Sequence, residues 1–232
     1  MTGVQTCALP ICLSGAAVQD LVLPWPQAEL TLGASAFPGA RRWAHADVAA
    51  AMRERCPRCV QRMALRLGNA AADLGPAPAR LPTHRLSGEQ GNLGGAHWWR
   101  LARSDETAVL VWHWPAARAW SAHGLAWGDG PPDLRDADPA VMERSLRVLA
   151  QRVAVDERVW PQQGAVMDRD GLRAQADYLL ALVAAVDAAQ RAGALETDAP
   201  PPLPGVAPDW AGHPRHGLNW QRVWALREPL NL

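Results

Sequence analysis

Residues 107–114, TAVLVWHW, decide the fold class. Val109, Val111 and His113 fall on one face of an extended chain, and Leu110, Trp112 and Trp114 on the other. Apolar groups on both faces predict a strand covered on both sides. The short connection Pro115-Ala116-Ala117 leads to a second Trp-bearing segment, 118–126, and a third, 95–101, precedes the first. Outward from this β-rich middle the pattern turns helical. Asp138-Pro139 is an N-cap followed by proline at the first helical position, after which Val141, Met142, Ser145, Leu146 and Leu149 trace one face. Residues 156–160 predict a brief strand. Residues 170–192 carry Leu172, Ala176, Leu179, Leu180, Val183, Val186 and Ala189 at helical spacing, with Gly193 placed to end the helix. Residues 196–209 are Pro-rich coil and 218–227 a short terminal helix. Upstream, 19–23 and 40–45 read as short strands and 47–68 as a helix that Pro57 should break or kink. Residues 75–82 form a Pro-rich loop. This order fits a layered α/β or α+β domain.

At 232 residues and 49% hydrophobic content the chain can bury a core as one domain. Net charge is zero, with no basic stripe, so no nucleic-acid partner is expected. No apolar run approaches the roughly 18 residues of a membrane span. The basic residues are all arginine, and Phe37, Tyr178 and Ile11 are each alone of their type. That bias matches the codon usage of a GC-rich bacterial genome and carries no functional meaning. Cys7, Cys12, Cys56 and Cys59 are too few for a disulfide scaffold in a chain this long, and they do not fix the compartment.

Residues 1–11, MTGVQTCALPI, stand apart: no arginine, no acidic residue, and the sole isoleucine. The string looks like a translated sequencing-library adapter. A secretory signal would need a basic start and a continuous apolar run of about 7–15 residues, and has neither. The expectation is a non-native 1–11 followed by a partial domain over 12–232.

The blocks LVLPWPQAELTLGASAF (21–37), WHWPAARAWSAHGLAWGDGPPDLRDAD (112–138), WPQQGAV (160–166), LRAQADYLLALVAAVDAAQRAG (172–193) and HGLNWQRVWALREP (216–229) occur in a familiar order. Together they resemble the metallo-β-lactamase superfamily, and within it the zinc metallohydrolases of quinoprotein relay systems. The resemblance implies a four-layer αββα sandwich, here without its N-terminal strands. It also implies a dinuclear zinc site at one edge, a hydrolase ancestry and a periplasmic setting.

The family's His-x-His-x-Asp-His motif aligns with Trp25-Pro26-Gln27-Ala28-Glu29-Leu30. Its histidine positions become Trp25, Gln27 and Leu30, and its aspartate becomes Glu29. Zinc takes imidazole, thiolate or carboxylate ligands at about 2.0–2.3 Å, and indole and leucine offer no usable lone pair. The next family histidine falls near 104–107, where there is none. The bridging aspartate aligns with Gly124, preceded by His123, and the Gly-His-Gly loop with Gln162-Gln163-Gly164. Gln27, Glu29 and His123 are the remnant metal candidates. Without the full set, no Lewis acid would lower the pKa of a hydrolytic water.

Other candidates each have a plainer reading. His123 is either a displaced ligand or a structural histidine on a strand beside tryptophans. Cys56-Pro-Arg-Cys59 is a redox pair, half of a zinc site, or two functionless thiols, the last favoured because no second Cys/His pair stands at metal spacing and no thioredoxin-like βαβ context surrounds it. His213 and His216 read as a solvated loop, and Asp129 and Asp133 as a turn and helix lead-in. Trp98, Trp99, Trp112, Trp114, Trp120 and Trp127 serve either core packing or an aromatic ligand pocket. The expectation is a zinc-free pseudo-hydrolase with no catalytic residues, binding an unidentified small molecule or protein partner. An active metallo-hydrolase with a rearranged site is the alternative.

Overall fold

The computed structural model describes residues 17–74, 79–196 and 200–227, so the expectation for 1–11 lies outside the described residues. The chain divides into two compact units, 1–88 and 89–232.

The first unit is a three-stranded parallel sheet, β1 (Asp20–Val22), β2 (Arg41–His45) and β3 (His84–Leu86), in that order. Parallel neighbours need long crossovers. Here α1 (Ala28–Gly33) with a 3-10 turn joins β1 to β2, and α2 (Ala46–Leu67) lies between β2 and β3. Val48, Ala49, Met52 and Cys56 of α2 pack with Leu23, Ala34 and Ala44 as one apolar cluster. Pro57 does not break α2. It removes the N–H that Arg53 would have received, but both residues lie on the exposed face, where water can satisfy the freed carbonyl.

The second unit is a five-stranded sheet, β4 (Gln90–Leu93), β5 (Ala96–Ala102), β6 (Ala108–Trp114), β7 (Ala119–Ala122) and β8 (Arg158–Pro161). Its pairs are antiparallel except β7–β8. Residues 108–112 are all buried, as alternation with apolar groups on both faces requires. The strand predicted over 118–126 is shorter than expected, because the chain turns after Ala122, whose carbonyl receives the N–H groups of both Leu125 and Ala126.

Helices α3 (Pro139–Arg152), α4 (Arg169–Arg191) and α6 (Pro214–Arg227) complete the unit, with a single turn α5 (Pro208–Ala211) before the last. Asp138 caps α3, its carboxylate accepting from Ala140 and Val141, and Asp168 caps α4 in the same way. Gly193, at φ +74°, ends α4 as expected. α3 packs along α4 and against β5, where Ser145 donates to the Ala102 carbonyl at 2.6 Å. Each unit is thus a sheet with its own helices, the content expected of an α+β sandwich. No helix among the described residues is long and apolar enough to cross a membrane.

Candidate functional site

The loops that leave β7 and β8 cross each other. Gly124 donates its N–H to Gln162 Oε1 at 3.1 Å, Gln162 donates its own N–H to the Ala126 carbonyl at 2.8 Å, and Gly128 donates to the Gln163 carbonyl at 2.7 Å. Gly128 and Gly164 form a β-bridge. A Cβ on Gly128 would overlap the Ala165 carbonyl, so the crossing demands glycine there. The aligned aspartate position, Gly124, is therefore tied by a hydrogen bond to the side-chain amide of Gln162, the neighbour of the aligned histidine position Gln163, whose own carbonyl is taken by Gly128.

Around this crossing the polar groups are tied to backbone. Gln175 of α4 accepts the Trp127 N–H at 3.2 Å and donates to the Trp127 carbonyl. Arg215 pairs with Asp129 and donates to the Pro131 carbonyl at 2.7 Å, so Asp129 does more than make a turn. Asp133 does make one, accepting the Arg135 N–H at 2.8 Å, and also takes Arg222 at 2.6 Å. A cavity of about 350 Å³ opens here, lined in part by Trp127, Asp129, Met167, Gln175 and Trp210.

The other aligned positions carry no better donors. Trp25 is buried at 4% exposure and Leu30 is partly buried against the apolar cluster of the first unit. Gln27 stands at the N-cap of α1 without a side-chain cap bond, and Glu29 is exposed in its first turn. Near 104–107, Ser104 and Thr107 share their hydroxyls at 2.9 Å, and Thr107 donates to the Asp136 carbonyl at 2.6 Å, closing a hairpin. His123 sits in the turn after β7 rather than on the strand. Burial holds its pKa below the ordinary range, opposed by a bond to the Pro161 carbonyl. Among the described residues no three His, Cys, Asp or Glu side chains converge on one point. Indole, leucine and amides do not fit a zinc ion.

The solvated-loop reading of His213 and His216 is corrected. His216 lies in the first turn of α6 at 1% exposure, and His213, half-buried in the bend just before it, accepts the Arg215 N–H at 3.1 Å and packs its ring 2.7 Å from where a Cβ on Gly130 would be. Cys56 is buried on α2, its thiol pushed up to about 11 by burial, while the Cys59 sulfur accepts from Arg62 at 3.3 Å. A buried thiol held protonated is a poor nucleophile or metal ligand. Trp98, Trp112, Trp120 and Trp127 are buried. Trp114 is 40% exposed.

Two polar clusters escaped the sequence reading. His113 Nε2 lies 2.7 Å from Glu157 Oε1, and Trp120 Nε1 donates to Glu157 Oε2 at 2.7 Å, with the His113 and Trp120 rings stacked at 4.3 Å. The second cluster is Tyr178, His216 and Asn219. Only His113, on the face of Val109 and Val111, left a trace in the pattern.

Glu157 and Asp133 titrate below the ordinary carboxylate range. Burial would raise each. For Glu157 it is outweighed by bonds from Trp120, the Ala154 N–H and His113. For Asp133 it is outweighed by the Arg135 N–H and the Arg135 and Arg222 guanidinium groups. A depressed folded-state pKa adds stability above the unfolded value, about 4, and that stability is lost as pH falls through the folded value. The urea midpoint should therefore drop on going below about pH 4, and Glu157→Gln should flatten that drop while lowering stability at pH 7. A variant with the same acid slope would contradict the assignment.

No family model matches the chain, and no curated relative does. Solved structures match it. A metallo-β-lactamase from Hirschia baltica superposes with TM-score 0.57 at 13% identity, covering 76% of each chain. DIM-1 metallo-β-lactamase, in a crystal exposed to ceftazidime, gives 0.54 at 13%, covering 75% of this chain and 74% of that one. A metallo-β-lactamase from Pontibacter korlensis gives 0.51 at 15%, covering 75% and 74%. At such identities the likeness speaks for architecture, and the fold of this chain is that of the metallo-β-lactamases.

Proposed function

We propose that the chain is a hydrolase homologue that has lost zinc chemistry and serves as a binding or accessory protein. One observation carries the reading: the Gly124 N–H donates to Gln162 Oε1 at the loop crossing. A metal there would need anionic or imidazole donors, and it would have to displace the hydrogen bond that the Gln162 amide oxygen already accepts from Gly124. The order of sequence blocks supports a periplasmic role beside a quinoprotein dehydrogenase system. The test is hydrolysis of β-lactam, thioester and ester probes with zinc supplied. The expected rate equals that of buffer containing the same zinc. Zinc-dependent turnover that disappears in His123→Ala would overturn the reading in favour of a rearranged metal site.

A further inference from the structure

His97 and His113 stand directly opposite each other on β5 and β6, and so share one face of the second unit's sheet. Their ring centroids are 6.3 Å apart. The two rings are held differently. His113 is fixed: its Nε2 lies 2.7 Å from Glu157 Oε1, and its ring stacks on Trp120 at an interplanar angle of 12°. His97 is exposed and makes no hydrogen bond among the described residues. The pair lies by the start of β7, whereas the loop crossing follows its end.

Glu157 sets the tautomer of His113. Its Oε2 accepts the Trp120 indole N–H at 2.7 Å and the Ala154 N–H at 3.0 Å, groups that only donate. Those bonds keep the carboxylate ionised, so Oε1 accepts from His113 Nε2. The neutral imidazole then carries its lone pair on Nδ1. That nitrogen makes no hydrogen bond among the described residues and is not sealed from solvent, the His113 side chain being 16% exposed. A histidine whose second nitrogen donates to a carboxylate is arranged as metal-ligating histidines are, with ring orientation fixed and basicity raised.

We propose that His97 and His113 bind one late divalent transition-metal ion, of the nickel or copper class, through His113 Nδ1 and a His97 ring nitrogen, with water completing the coordination. Imidazole nitrogens suit these ions. Two imidazoles at adjacent positions of one ion put their ring centroids roughly 4.5–5 Å apart. Rotation of the exposed, unbonded His97 closes the gap from 6.3 Å. With two protein donors rather than the four of a structural zinc centre, the ion exchanges with solution and is removed by dialysis.

Nickel chloride is the probe, since Ni(II) does not oxidise thiols such as Cys59. Calorimetric titration of the full chain at neutral pH, in a non-coordinating buffer, should show a saturable Ni(II) site. NMR should show paramagnetic broadening of the His97 and His113 ring signals. His97→Ala should weaken that site by at least about ten-fold, and His84→Ala, in the first unit, should leave it unchanged. Glu157→Gln gives the sharper test, because that side chain never touches the ion. The two N–H donors at the Oε2 position hold the amide oxygen there, so the amide NH2 faces His113 Nε2 and the ring proton moves to Nδ1. Binding should fall by about 10–100-fold, and the nitrogen NMR spectrum of the ring should show the exchanged tautomer. If that variant does not fold, His97→Ala at its exposed position still decides. No saturable site, equal affinity in His97→Ala, or undiminished binding in a folded Glu157→Gln would each overturn the proposal.

Discussion

Gly164→Ala will destabilise the chain by about 4 kcal/mol, the sum of a strained dihedral and forced displacement of packed backbone. Gly164 has φ +86°, where an L side chain is rarely found, and its Cβ would overlap the Asp129 N–H and lie 2.7 Å from Asp129 Cβ. These atoms belong to the opposing loop of the crossing, which is held by the Gly128–Gln163 bond and the Asp129–Arg215 pair. Neither side can withdraw without breaking those bonds. Urea denaturation at 25 °C measures the loss. Gly212→Ala is the control: it has φ −86° and nothing within 4 Å of its Cβ, and should change stability by less than about 1 kcal/mol. A Gly164→Ala variant as stable as that control would show that the loops do not cross as described.

The second large effect is expected at Asn219, which is fully buried. Its side chain answers the Leu134 N–H, the Pro132 carbonyl and the Tyr178 hydroxyl, and stands 3.5 Å from Arg222. Asn219→Ala would leave these groups buried without partners, at about 1–3 kcal/mol each before relaxation. We expect a loss of about 3 kcal/mol, again by urea denaturation. The segment 131–134 should gain faster amide exchange in the variant, because this bond pair ties it to α6. A loss below about 1 kcal/mol would mean that water satisfies the segment and that Asn219 is no tie.

Local signals were legible in the sequence, and non-local ones were not. Asp138-Pro139 started α3 as read, because an N-cap acts on N–H groups two and three residues away. The spacing of Leu172, Ala176 and Leu179 marked α4 for the same reason. β4, Gln90-Gly91-Asn92-Leu93, carries no alternation of its own and exists because β5 pairs with it. Pro57 reads as a breaker from propensity alone; the amphipathic packing of α2 overrides it. The site followed the same division. Aligned ligand positions could be named from block order, yet nothing in the sequence shows that Gln162, 38 residues after Gly124, turns its amide onto that N–H. Nor could His113 be matched to Glu157, 44 residues later, or His216 to Tyr178.

The central claim is that this fold is kept without its zinc site. It is tested most directly by incubating the purified chain with excess zinc, dialysing exhaustively and counting zinc by inductively coupled plasma mass spectrometry. The account predicts a residual far below one ion per chain, unchanged in His123→Ala and Glu29→Gln. One or two ions per chain, lost in either variant, would contradict it.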